Sequence, residues 1–357
     1  DAVVEELRAG IEKQLAAAKI ELYRGTGVVC GEHLVKVMPG EEEVTADYIL
    51  LAAGSEPSSL PIPGMDLPGV KNSTQMLEEE CVPDRLVIIG GGVIGMEFAT
   101  VYNDLGCQVT VLEAMDKILP GMDKEISQNL KMIMKKRGVD IHTGATVSSV
   151  EKMGDGTYLC RYTEKEKNCE APAALILSAV GRRPLSRGLF SEDMQERIEM
   201  ERGRVLVNER YETSVPGIYA IGDLIGGVCL AHVAAAEGCQ AASAMFLELK
   251  GKDMTVIPSC VYTDPEIACA GLTADEAKAA GIDTATGKYI MSVNGKSVLS
   301  MQDRGFLKIV SEKETGRILG AQLMCARATD MIGELELAIS KRLTAEDLAA
   351  VIMPHPT

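Results

Sequence analysis

A short, wholly apolar stretch, residues 86–89, runs into Gly90-Gly91-Gly92-Val93-Ile94-Gly95, and an apolar-periodic segment at 93–105 follows, closed by Gly106. A GxGxxG pattern alone is common. Between an apolar strand and the start of a helix it is specific, because it then marks the first turn of a parallel βαβ unit. Gly90 permits the tight turn, Gly92 lets the backbone approach a pyrophosphate, and Gly95 lets helix and strand pack closely. Val93 and Ile94 open the helix, whose unpaired N–H groups and positive dipole end would face the phosphates. The next strand, 108–112, ends at Glu113, roughly 20 residues on, where an acid accepts from the ribose 2′-OH. A carboxylate there would repel a 2′-phosphate, so the expected ligand is NAD rather than NADP.

Around this unit the chain alternates strand-like and helix-like segments. Residues 2–19 read as a helix, with Val3, Val4, Leu7, Ile11 and Leu15 recurring on one side. Residues 20–29 and 44–52 read as strands, and 58–69, rich in Pro and Gly, as a loop. A helix is expected at 123–137, then strands at 146–150, 157–162 and 174–180. Strands alternating with helices imply a parallel sheet, hence an α/β fold. An Ala-rich helix is expected at 233–249 and a break near 250–253. Beyond it the strands 256–262, 289–293, 306–310 and 319–324, with helices between, suggest a separate α+β domain. With 357 residues, two or three domains are expected.

Charge and cysteine use narrow the function classes. A net charge of −16, with no cluster of Lys and Arg, argues against nucleic acid, which needs a basic surface. No apolar run is long enough to span a membrane as a helix, and residues 1–7 lack the layout of a signal peptide. None of the ten cysteines is spaced as CxxC, no metal-ligand set appears, and all ten are expected to be buried or inert thiols. So many unpaired thiols fit a reducing cytoplasm.

Residues 86–120, LVIIGGGVIGMEFATVYNDLGCQVTVLEAMDKILP, resemble the NAD domain of the dihydrolipoamide dehydrogenases, flavoprotein disulfide oxidoreductases, and the similarity extends over nearly the whole chain. LAAGSEP at 51–57 resembles a flavin-side strand end, with Ala53 where Thr is usual. GRRP at 181–184 resembles the turn that ends the NAD domain. PGIYAIGD and LAHVAAAEG, within 213–238, resemble the second flavin motif. YTDPEIACAG at 262–271 resembles the start of a dimerisation domain, and His355-Pro356-Thr357 the start of an HPTxxE motif.

The resemblance implies Rossmann-like FAD and NAD domains plus a C-terminal α+β dimerisation domain. The expected bounds are 1–80 for an incomplete FAD domain, 81–184 for the NAD domain, 185–252 for the second FAD part and 253–357 for the dimerisation domain. It implies that Gly181 lies with the NAD residues, and that Gly54, Gly222, Asp223, Ala231 and His232 lie at FAD, with Asp223 accepting from the ribitol. Glu97, counted with the NAD residues, would pair with a lysine beside the flavin, if it is not simply on a solvated helix face. His355 would be the general base, serving the partner subunit's site of a homodimer. Dihydrolipoamide would then be oxidised by NAD⁺ through FAD and a redox disulfide, in service of a 2-oxo-acid dehydrogenase or glycine cleavage complex. His33 and His142 match no family role.

The departures matter. The family's first GxGxxG and its CxxxxC redox pair have no counterpart here, and the chain stops before the Glu of HPTxxE. The expectation is therefore an inactive fragment that still binds NAD. The alternatives are another flavin disulfide reductase or transhydrogenase, or a truncated NAD-binding and dimerising product.

Overall fold

The computed structural model describes residues 2–246 and 253–357. The expected break near 250–253 and the last residues of the Ala-rich helix lie outside the described residues, apart from Asp253. The chain divides into two compact units, one of Asp1–Ser55 with Pro184–Lys252, the other of Glu56–Arg183 with Asp253–Thr357.

The second unit holds the glycine loop. Its parallel sheet has five strands in the spatial order Val70–Asn72, Leu175–Ser178, Arg85–Ile89, Gln108–Glu113, Asp140–Thr143. The interior positions of the central strands are largely apolar on both faces, because both faces are covered. Leu86, Ile88, Val109 and Val111 pack on one side with the helices Val93–Asp104 and Lys124–Lys136. Val87, Ile89 and Leu112 pack on the other against an antiparallel meander, Ala145–Lys152, Tyr158–Glu164 and Lys167–Ala173. The strands expected near 146–150 and 157–162 therefore exist, but they form a separate antiparallel sheet. The turn Met153–Gly156, closed by Gly156 N–H donating to the Met153 carbonyl at 3.0 Å, makes the first two strands of that sheet a hairpin.

The helix Lys124–Lys136 buries Ile126, Leu130, Ile133 and Met134, one stripe at helical spacing. Asp123 caps its start by accepting from Glu125 N–H. In the same unit an antiparallel sheet runs Ser259–Val261, Ile267–Gly271, Ile318–Met324, Phe306–Glu312, Thr284–Ile290. The helix Ala328–Ser340 packs on it through Ala328, Ile332, Ala338 and Ile339. The strand expected at 289–293 is displaced: the chain is extended over Thr284–Ile290 and turns at Met291–Val293.

In the first unit the helix Ala2–Ala17 buries none of its residues. The strand expected at 20–29 lies at Thr26–Gly31 and begins an antiparallel three-stranded sheet with Leu34–Met38 and Glu42–Thr45. The expected strand 44–52 is two strands. The first part closes that local sheet, and Ile49–Leu51 pairs in parallel with Ile218–Ala220 instead. The helix expected at 233–249 is described over Ala231–Phe246. No helix among the described residues is long and apolar enough to cross a membrane.

Candidate dinucleotide site

A cavity of about 590 Å³ opens at the carboxyl ends of the parallel strands, the place where open α/β sheets take ligands. Gly90, Gly92, Val93, Ile94, Glu113 and Gly181 line it, so six of the residues expected at NAD come together. Gly95 lies just behind. A Cβ there would meet the Gly90 carbonyl oxygen at 2.0 Å, which is the close helix–strand packing expected of it. Gly90 has φ +109, and a Cβ would stand 2.3 Å from the Ala179 carbonyl oxygen, so the turn excludes other residues. No side chain caps the helix at Gly92, which leaves first-turn N–H groups for a ligand.

Glu113 is buried, and its carboxylate is already engaged. One oxygen accepts from Gly91 N–H at 2.6 Å, the other from Met115 N–H at 2.7 Å. Each oxygen keeps a second acceptor position, so the carboxylate can take a ribose hydroxyl while its orientation is fixed by the loop. Sequence reasoning missed this role of Gly91. It also missed the apolar wall, where Leu60, Ile62, Ala145 and Val147 face the cavity. Apolar residues alternating with prolines at 60–63 were the available signal for part of it.

The residues present fit a dinucleotide: a glycine turn, an uncapped helix start and an oriented carboxylate share one cavity of the size small-molecule sites use.

Glu97 does not stand on a solvated face. It is half-buried and its Oε1 accepts from Tyr262 N–H at 2.9 Å. Burial pushes its carboxyl up, while the hydrogen bond from Tyr262 pulls it down.

The residues expected at FAD fall in the other unit. Gly54 and Gly222 sit just past the ends of the paired strands Ile49–Leu51 and Ile218–Ala220, and the Ser55 hydroxyl donates to Asp223. Gly222 N–H donates to buried Glu237 at 2.7 Å. Ala231 and His232 open the Ala-rich helix and are exposed. This set offers a flavin an acceptor in Asp223.

His355 lies in the exposed terminal segment, where Asn294 Nδ2 donates to the Thr357 carbonyl at 2.9 Å. The cysteines divide. Cys81, Cys229 and Cys239 are exposed, whereas Cys107, Cys160 and Cys325 are buried. Burial pushes the thiols of Cys160 to about 12 and of Cys269 and Cys325 to about 11.

Comparison with known proteins agrees with this geometry. The pyridine nucleotide-disulphide oxidoreductase family profile matches residues 2–238, and its dimerisation domain matches 257–357. The chain belongs to this family. Among its relatives, dihydrolipoyl dehydrogenase of Bacillus subtilis is 39% identical over 360 residues, covering 99% of this chain and 76% of the relative. Dihydrolipoyl dehydrogenase of Geobacillus stearothermophilus is 37% identical, covering 99% and 75%. Among solved structures, the HOCl-induced flavoprotein disulfide reductase RclA of Escherichia coli superposes with a TM-score of 0.91 at 27% identity, over 100% of this chain and 81% of that one. The α/β architecture and dimerisation domain expected from the sequence are those of the family.

Proposed function

We propose that this chain binds NAD(H) in the Gly90–Gly95 cleft and serves the dihydrolipoyl dehydrogenase reaction, dihydrolipoamide plus NAD⁺ giving lipoamide, NADH and a proton. The observation that carries the nucleotide assignment is the Glu113 carboxylate, fixed by Gly91 and Met115 N–H on the cavity wall that Gly92 and Gly181 also form. It selects for a free 2′-hydroxyl and against a 2′-phosphate. The identity to dihydrolipoyl dehydrogenases, higher than to the superposed reductase, favours lipoamide as substrate.

FAD, when bound, would supply the two-electron relay between dithiol and nicotinamide. Asp223, held by Ser55, would accept from its ribitol, with Gly54, Gly222, Ala231 and His232 around it. His355 would take the proton from a substrate thiol, because the thiolate is the nucleophile. The matched dimerisation domain supports a homodimer, as do Val293, Leu299, Met301 and Ile352, all at least 70% exposed. A lipoyl-bearing 2-oxo-acid dehydrogenase or glycine cleavage complex would be the partner. We also propose domain bounds of 81–184 for the NAD domain and 253–357 for the dimerisation domain, with 1–80 and 185–252 on the flavin side.

A second reading rests on the cysteines. None of the ten lies within five residues of another, so no CxxxxC pair is available for exchange with a dithiol. On this reading the chain as written binds nucleotide without turning over lipoamide.

The test is a visible spectrum of the purified chain with an NADH titration on the same sample, followed by lipoamide-dependent NADH oxidation. Saturable NADH binding supports the assignment, and its absence overturns it. Binding with no lipoamide turnover selects the second reading.

A further inference from the structure

The wall of the cleft that follows Glu113 is tied to the glycine loop at one end and to the dimerisation domain's sheet at the other. At the near end both polar groups of the Gly91 residue are taken by residues 113–119. Its N–H donates to Glu113 and its carbonyl accepts from Leu119 N–H at 2.8 Å. Leu119 has φ +47 and is almost wholly buried. A left-handed conformation is unfavourable for a bulky residue, so its surroundings must hold it. They do: its carbonyl accepts from Met122 N–H at 2.9 Å, and Lys117 Nζ donates to the Met122 carbonyl at 2.9 Å. Pro120, next in the chain, lines the cleft.

At the far end stands Asp123. One oxygen caps the following helix through Glu125 N–H at 2.8 Å, and the other accepts from Lys308 Nζ at 2.7 Å. Lys308 belongs to the strand Phe306–Glu312 of the other sheet in this unit, and both it and Asp123 are 8% exposed. Lys308 also donates to Glu125 at 3.2 Å, and Lys288 pairs with the same Glu125. Two cations thus face two carboxylates. Directly across the strand pair from Lys308, the Oε1 of buried Gln322 has no hydrogen-bond partner among the described residues. A buried ammonium is costly unless its partners are fixed. Once they are, it holds Asp123, and with it the end of the cleft wall, in one place.

We propose that Lys308 and Asp123 are positioning residues for the dinucleotide: the buried ion pair braces residues 114–123, and through Leu119 and Gly91 it sets the glycine loop at the height the pyrophosphate needs. Neither residue touches the cofactor. The inference rests on the nucleotide assignment above, but the brace itself can be read without nucleotide.

The test uses the full chain and Lys308→Met, which keeps the apolar stem and removes the charge. Dissociation constants for NADH are read by fluorescence, and exchange of the Gly91 and Leu119 amides is followed by NMR without nucleotide. Lys308→Met should weaken NADH binding about three- to ten-fold, and both amides should exchange faster. Lys308→Arg should restore part of both. Ile332→Ala, a core truncation beneath the helix Ala328–Ser340, should lower the melting temperature without changing either readout. Should Lys308→Met not fold, Asp123→Asn, which keeps a capping oxygen but loses the charge, is read in the same way. Unchanged NADH affinity with unchanged exchange overturns the proposal, as does an equal loss of affinity in Ile332→Ala. If the unaltered chain binds no NADH, the nucleotide assignment fails, and the amide exchange alone decides whether the brace exists.

Discussion

The two units are built from similar strands and helices, yet they bury themselves very differently. In the unit of the glycine loop, Leu86, Val87, Ile88, Val109 and Val111 have no exposed surface, and the loop's neighbours are fixed by backbone hydrogen bonds. In the other unit the helix Ala2–Ala17 buries nothing, and among the described residues its parallel sheet has two strands, Ile49–Leu51 and Ile218–Ala220. A nucleotide site needs a rigid platform, because phosphate recognition by backbone N–H groups tolerates little displacement. Preorganised binding therefore belongs to the unit of the glycine loop.

The largest expected effect breaks that unit at its tightest contact. Gly95→Val would press a branched side chain onto the Gly90 carbonyl, whose oxygen even a bare Cβ would meet at 2.0 Å. Rigid backbone cannot yield cheaply, so stability should fall by about 3 kcal/mol or more. NADH binding should vanish. Urea unfolding and NADH titration check both; retained binding would mean that the helix start is not fixed by this packing.

Next comes Glu113→Gln. One amide oxygen can keep only part of the work of two carboxylate oxygens, and the NH₂ would face a backbone N–H. NADH affinity should fall about ten-fold, the scale of a lost charge-assisted hydrogen bond. The preference for NADH over NADPH should shrink with it, since the charge that repels a 2′-phosphate is gone. Parallel titrations with the two nucleotides measure this. An unchanged ratio would remove Glu113 from selection.

These two positions also show what could be read in the sequence. Gly90, Gly92, Gly95 and Glu113 were legible because one βαβ unit sets all their roles, within residues 85–113. Glu97 was not: its partner, Tyr262 N–H, comes from far along the chain. Leu60 and Val147 reach the cavity through long-range packing of a Pro-rich loop and a meander, and no local period announces that. The segment 44–52 looked like one strand because propensity cannot see that its two ends find different partners, one nearby and one at Ile218–Ala220.

A smaller effect lies at the edge of the parallel sheet. His142 is hydrogen-bonded through Nδ1 to Glu164 and through Nε2 to Asp140, each at 2.9 Å, and its ring packs on Tyr162. Burial lowers its pKa, but the two carboxylates outweigh burial and the net shift is upward from 6.5. A raised folded-state pKa stabilises fully below the unfolded value and loses that stabilisation as pH rises through the folded value. Stability should therefore drop from about pH 6.5 upward, by about 1 kcal/mol or less for so accessible a cluster. His142→Gln should flatten this part of the profile. Urea midpoints at pH 6 and pH 8 for both proteins decide it, and an equal slope in both would assign the pH dependence elsewhere.

The smallest expected effect tests the other side of the comparison. Leu7 is 65% exposed, in a helix with no buried residue. Leu and Gln have similar helix propensity, so Leu7→Gln should change stability by no more than about 0.5 kcal/mol. The same loss of apolar bulk at Ile126, which is wholly buried, would leave a cavity in the core. The urea midpoint of Leu7→Gln separates two physical states of the first helix. No shift means that Val3, Leu7 and Ile11 face water in solution, and the asymmetry between the units is real. A loss well above about 0.5 kcal/mol means that this face is covered in solution. Sedimentation of the variant then shows whether a second copy covers it, because the oligomer would dissociate with the loss of Leu7.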